Sequence, residues 1–124
     1  MNHQRPVNLD LASLKYPPMA IASILHRLSG VTLFLLFPVL LYFLSHSLSS
    51  EQGFEQVKTW LMNPFCKLLV WAFTAALTYH LFAGIRHLLM DMGFGEGLNA
   101  GRKSATSVMV LAVVFIIFLG IWIW

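Results

Sequence analysis

The sequence predicts an all-α membrane protein with three transmembrane helices, its N-terminus inside and its C-terminus outside. Of its 124 residues, 58% are hydrophobic and only 10% are charged, whereas a soluble domain is usually about one quarter charged. Three segments of about 17 residues contain no Asp, Glu, Lys or Arg and, with their apolar flanks, can cross a bilayer as helices: 28–44, 68–85 and 108–124. Barrel strands alternate in polarity, and these segments do not.

We expect a single membrane-anchor domain, 1–124, with transmembrane helices at about 19–46, 64–91 and 105–124 after a cytoplasmic tail at 1–18. The tail is polar and contains three prolines. It has no basic region followed by a short apolar core, and it is not an Arg- and Ser-rich amphipathic presequence. The first helix is therefore expected to remain in the mature protein.

The distribution of basic residues predicts the orientation, because cytoplasmic segments carry an excess of Lys and Arg. Two basic residues, Lys58 and Lys67, lie in the connection between helices one and two. Six lie in the tail, at the start of helix one or between helices two and three: Arg5, Lys15, Arg27, Arg86, Arg102 and Lys103. The asymmetry puts the N-terminus inside, explains the net charge of +3, and gives no reason to expect nucleic acid binding.

The two connections predict different structures. Segment 45–65 has apolar residues at helical spacing between charged ones, which suits either a short amphipathic helix on the outer surface or a solvated loop. Segment 93–104 contains four glycines but no phosphate-binding ending, so we expect a flexible inner loop. Cys66 is the only cysteine, and packing is its expected role.

Polar residues of helix one fall on one stripe. They lie at offsets of zero, three, four and seven: Ser23, His26, Arg27 and Gly30. An arginine inside the bilayer costs about 2.5–3.5 kcal/mol on insertion scales, so such residues normally face protein, a wet cavity or a ligand. Arg27 lies only about two turns past Pro18, however, and its side chain could instead extend to the inner headgroups.

Helix two carries a second polar stripe, at offsets of zero, four, seven and eleven: His80, Gly84, His87 and Asp91. If this helix leaves the membrane near Asp91, His80 lies roughly 16 Å deep at 1.5 Å per residue. If helix one enters near Met19, Arg27 lies roughly 12 Å deep. The two stripes are therefore expected at similar levels in the inner half of the bilayer.

His80 has two possible roles. It can hydrogen-bond to a neighbouring helix as a packing residue, or it can hold a haem iron, with Gly84 making room for the macrocycle. His26, Arg27 and His87 favour haem, because the propionates need cationic or hydrogen-bonding partners on that side. A six-coordinate cytochrome b needs two axial ligands, and no second histidine lies at this depth. The other ligand is expected from another subunit, which makes this chain part of a heteromeric helical bundle.

Three motifs resemble a known family in order and spacing. "RPVNLDL" (5–11), "IASILHRLSG" (21–30) and "YHLFAGIRHLLMDMG" (79–93) are similar to the cytochrome b large membrane-anchor subunit of succinate dehydrogenase (succinate:ubiquinone oxidoreductase, complex II), in its proteobacterial form. The resemblance runs from Arg5 to the end of the third helix. The second half of the first motif departs from the general family pattern, Arg-Pro-Leu-Ser-Pro-His-Leu, which weakens the case for a role of Asn8 or Asp10.

The resemblance implies roles for particular residues. His80 matches the axial ligand of haem b, whose other ligand comes from the small anchor subunit. Ser23 and Arg27 match residues that line the ubiquinone site, Ser23 as a hydroxyl donor to a quinone carbonyl and Arg27 as a positive charge. His26 and Arg27 match residues near the haem propionates, and His87 matches a further propionate or water contact.

The resemblance also implies partners. A soluble flavoprotein subunit with FAD would oxidise succinate, and an iron–sulfur subunit would carry the electrons to ubiquinone at the bacterial inner membrane. This chain has one cysteine and no dinucleotide-binding motif, so flavin and clusters belong to the partners and the chain alone should be inactive. A haem-free structural anchor and the anchor of a quinol:fumarate reductase remain alternatives.

Overall fold

The computed structural model describes Asp10 and residues 15–124. These residues form four helices and no strand: α1 (Pro18–Ser49), α2 (Glu51–Leu61), α3 (Pro64–Asp91) and α4 (Leu98–Ile123). Helices α1, α3 and α4 are long and apolar enough to cross a membrane, which confirms the predicted fold class. Motif 5–11 lies outside the described residues apart from Asp10, as does Arg5, and the orientation stays a prediction.

The connection between α1 and α3 contains a helix, so the loop alternative for this segment is wrong. Ser50 ends α1 and caps α2, its hydroxyl oxygen accepting the N–H of Gly53 at 2.9 Å. Val57 is buried on one face of α2, while Glu55 and Lys58 form an exposed ion pair at 3.1 Å on another. Of the two structures that the spacing allowed, the amphipathic helix is the one that forms.

The expected glycine-rich inner loop is shorter than predicted, because α4 begins at Leu98 rather than at 105. Gly97 is the last residue before the helix, and its carbonyl accepts the N–H of Gly101 at 2.7 Å. Gly101 is buried against Met19, since a Cβ there would lie 2.7 Å from the Met19 sulfur. Close packing on α1 thus compensates for the low helix propensity of glycine in this first turn.

Small side chains lie where the three spans meet. The buried alanines are Ala22, Ala83, Ala105 and Ala112. They allow the helix backbones to approach closely, as is typical of membrane helices. Tyr79 is the large buried residue at this junction, and its hydroxyl donates to the Ala22 carbonyl at 2.7 Å. Large apolar residues such as Phe34 and Trp122 stay exposed, so the outer surface is available to lipid and to partner helices.

Candidate functional site

Helices α1 and α3 contact each other through two histidine–glycine pairs. The His26 and His80 rings are stacked, with centroids 4.3 Å apart and planes inclined by 24°. Each ring lies against the glycine four residues after the other histidine. A Cβ at Gly30 would be 3.3 Å from His80 Cε1, and one at Gly84 would be 3.6 Å from His26 Nε2. Gly30 therefore makes room for the His80 imidazole, whereas a Cβ at Gly84 would make an ordinary van der Waals contact with His26, a neighbour that the sequence interpretation of Gly84 missed.

The two histidines belong to a repeated pattern, His-x-x-x-Gly, present in "HRLSG" and in "HLFAG". Positions four apart lie on one helix face, so on each helix the pattern puts an imidazole one turn from a glycine, which has no side chain. The repeated pattern is visible in the sequence, but the contact between the two helix faces is not. This contact brings the two predicted polar stripes together at one level, as the depth estimates indicated. His26 therefore lies at the depth of His80, so the expectation that no second histidine lies there is wrong.

Ser29 is the functional candidate that the sequence analysis overlooked. It is the buried polar residue of this helix pair, with 7% of its surface exposed. Its hydroxyl donates to the His26 carbonyl at 2.6 Å, and its oxygen lies 3.0 Å from His80 Nδ1. The His26 carbonyl is also 3.3 Å from His80 Nδ1. The available signal was its position three residues after His26, on the same side of α1.

His80 and His26 each retain a nitrogen without a hydrogen-bond partner in the described part of the chain. For His80 this atom is Nε2, because every hydrogen bond of its ring goes to Nδ1. For His26 it is Nε2, which is buried. A histidine that binds haem iron does so through one ring nitrogen, while a hydrogen bond at the other nitrogen holds the ring in place. His80 has this arrangement, because its Nδ1 is hydrogen-bonded and its Nε2 is free.

A polar cleft of about 270 Å³ opens beside the stacked histidines. Four of the five predicted site residues line it: Ser23, His26, Arg27 and His87. Ala22, Ala83 and Arg86 complete the lining, and His80 is not part of it. Ser23 and Arg27 are exposed in this chain. The cleft is therefore open to its surroundings at Ser23 and Arg27.

Two basic residues that line the cleft already have polar partners. His87 Nε2 lies 3.4 Å from Asp91 Oδ2 one turn further along α3, and both side chains are mostly exposed. Arg86 donates through Nε to Ser104 Oγ at 2.9 Å and through a terminal nitrogen to the Gly101 carbonyl at 3.2 Å. Arg86 thus connects α3 to α4, and both residues lie at the cleft.

The chemistry of the donor set fits a haem better than a bare metal ion. Among the described residues, no group of three or more His, Cys, Asp or Glu side chains could hold a metal ion. A haem iron can be held by one histidine from a given chain. The free Nε2 of His80 would be sufficient to hold it from this chain.

The fold and this cleft define an integral membrane subunit with polar residues gathered at one helix pair. Residues 1–119 match the family model "Succinate dehydrogenase/Fumarate reductase transmembrane subunit". The chain is 48% identical to the succinate dehydrogenase cytochrome b556 subunit of Coxiella burnetii over 100% of both chains. It is 31% identical to the b556 subunit of Paracoccus denitrificans, over 89% of this chain and 85% of the relative. It is 32% identical to the b560 subunit of Reclinomonas americana, over 99% and 88%. The chain belongs to this family, and the resemblance seen in its motifs is confirmed.

Proposed function

We propose that this chain is the membrane-anchor cytochrome b subunit of a succinate dehydrogenase in the bacterial inner membrane, with its N-terminus in the cytoplasm. Membership of the transmembrane-subunit family and similarity to several cytochrome b subunits of succinate dehydrogenase support this function. The partners are a small anchor subunit, an iron–sulfur subunit and a flavoprotein. The exposed apolar faces of α1, α3 and α4 supply the surface that the bilayer and the small anchor would cover.

The observation that carries the haem proposal is the free Nε2 of His80 on a ring held through Nδ1. His80 would ligate haem b from this side, and the small anchor would supply the second ligand. His26, Arg27 and His87 lie beside it at the cleft and would contact the propionates. When bound, the haem supplies a redox centre within the membrane.

The cleft supports a ubiquinone site shared with other subunits. Reduction of a quinone adds two electrons and two protons, so its carbonyl oxygens need hydrogen-bond donors and access to water. Ser23 would donate its hydroxyl to one carbonyl oxygen, and the Arg27 guanidinium would stabilise the negative charge that develops there. Both residues are exposed at the cleft, which leaves a path for protons from solvent.

The haem proposal is tested by a reduced-minus-oxidised optical spectrum of the complex, purified in mild detergent through a tag on this chain. We expect a b-type band together with a flavoprotein and an iron–sulfur protein. His80→Leu should remove most of the haem, whereas His46→Leu should keep it, because the His46 nitrogen Nε2 is bonded to Gln56. A normal haem content in the His80 variant would contradict the ligand assignment. Soluble partners without haem in the parent complex would instead indicate a haem-free anchor.

The quinone proposal is tested by replacing Arg27. Arg27→Leu should lower ubiquinone reduction at least tenfold, about 1.4 kcal/mol of transition-state stabilisation, while succinate oxidation with a soluble artificial acceptor stays unchanged. Arg102→Leu is the matched control, since Arg102 is exposed on α4 and does not line the cleft. Equal loss of both activities in the Arg27 variant would indicate an assembly defect and contradict the quinone role. Comparing succinate oxidation with fumarate reduction would identify the preferred direction.

A further inference from the structure

The hydrogen of the Ser29 hydroxyl is committed to its own helix. Ser29 Oγ donates to the His26 carbonyl at 2.6 Å, and a serine hydroxyl has a single hydrogen to donate. The same oxygen lies 3.0 Å from His80 Nδ1. Toward that nitrogen, Ser29 can therefore act only as an acceptor.

The second neighbour of His80 Nδ1, the His26 carbonyl, favours the same tautomer of the imidazole. The His26 carbonyl lies 3.3 Å from Nδ1, and a carbonyl oxygen cannot donate. Two acceptors thus face one ring nitrogen, so Nδ1 carries the hydrogen. In the neutral imidazole the lone pair then lies on Nε2, which makes no hydrogen bond in the described part of the chain.

We infer that Ser29 is a positioning residue that fixes the tautomer and orientation of His80, so that Nε2 is presented to the haem iron. The inference rests on the proposed haem function and assigns no iron contact to Ser29 itself. Gly30 and the stacked His26 ring confine the imidazole, and Ser29, the nearer of the two acceptors at Nδ1, acts with the His26 carbonyl to leave Nε2 free. Acceptors bonded to the second nitrogen of a ligating histidine orient the ring and raise its basicity.

The test is Ser29→Ala in the tagged, purified complex. Removing such an acceptor typically weakens metal binding 10- to 100-fold, so we expect a loss of haem on washing that the parent complex does not show. The midpoint potential of the retained haem should rise, because a less basic imidazole stabilises ferric iron less well. The g-values of the oxidised low-spin haem should also change, since they depend on ring orientation.

Two further variants separate this role from packing. Ser47→Ala removes a bond of the same kind, from Ser47 Oγ to the Leu44 carbonyl at 2.8 Å in α1, and should leave all three haem properties at parent values. Ser29→Cys retains a similar shape with a weaker acceptor and should give values between those of the parent and Ser29→Ala.

Each outcome has a distinct meaning when His80→Leu is measured alongside. If His80→Leu removes the haem while Ser29→Ala keeps the parent's haem retention, potential and g-values, the positioning role is overturned and the ligand assignment stands. If His80→Leu retains haem, the proposed function fails first and the inference fails with it. Equal loss of assembly in Ser29→Ala and Ser29→Cys would assign Ser29 to packing and overturn the inference.

Discussion

The N-terminal and C-terminal halves of α1, named inner and outer after the proposed orientation, both contain a histidine stacked on an aromatic ring, but the two surroundings differ. In the outer half, His46 is stacked on Trp60 with centroids 5.0 Å apart, and its Nε2 lies 2.7 Å from Gln56 Oε1. In the inner half, His26 is stacked on His80, and each ring has an Nε2 without a partner in the described residues. The comparison shows that an unbonded ring nitrogen, and not an apolar environment, distinguishes a candidate ligand histidine from a packing histidine.

The size of the residues packed against the histidine rings also differs between these halves. The outer histidine belongs to an aromatic cluster with Tyr42, Phe43 and Trp60, where bulky rings fill the space between α1 and α2. The inner histidines instead lie against Gly30 and Gly84. Bulky aromatic residues stabilise the contact around His46, whereas the lack of a side chain at Gly30 permits the close approach of His80 to α1. Substitutions that alter volume should therefore act most strongly in the inner half.

The largest effect is expected from Gly30→Leu. A Cβ alone would lie 3.3 Å from His80 Cε1, so a leucine must displace the imidazole, and overpacking of this kind costs about 3 kcal/mol. We expect a lower melting temperature of the purified complex and a loss of haem. Gly30→Ala should have a smaller effect of the same kind. A parent-like melting temperature and haem content in Gly30→Leu would show that the inner contact is not tightly packed.

An intermediate effect is expected from Arg86→Leu, which removes the hydrogen bonds between α3 and α4. Bonds to a charged donor contribute about 2 kcal/mol, and the substitution leaves the Ser104 hydroxyl and the Gly101 carbonyl without this partner. The melting temperature should fall, and protease should cleave the connection at 92–97 more readily. Arg102→Leu is the control, because Arg102 is exposed on the same inner side. Equal stability of the two variants would contradict a linking role for Arg86.

The smallest effect is expected from Gln56→Leu in the outer half. It removes one exposed hydrogen bond to His46, worth about 1 kcal/mol, and leaves the stacked rings in contact. The melting temperature should fall slightly, while the haem spectrum and ubiquinone reduction stay at parent values. A change in the haem spectrum would show that the two halves are coupled and would end the distinction between them.

Much of the candidate site could be predicted from local patterns. Offsets of three and four residues put Ser23, His26 and Arg27 on one stripe, and the structure brings these residues to one cleft with His87. The roles of Gly84 and Ser29 could not be predicted in this way. Each depends on which face of α1 meets which face of α3, and no periodicity within one helix specifies that contact.

The three membrane-spanning helices and the family followed from the sequence alone, because hydropathy and motif order are properties of contiguous residues. For segment 45–65 the amphipathic spacing left a helix and a loop open, and the structure shows the helix α2. Tertiary structure alone decided where α4 begins, since packing of Gly101 on Met19 extends a helix that glycine disfavours. It also decided which nitrogen of His80 is free. Ser29 lies 51 residues from His80 in the chain, and only the contact between α1 and α3 brings its hydroxyl within hydrogen-bonding distance of the ring.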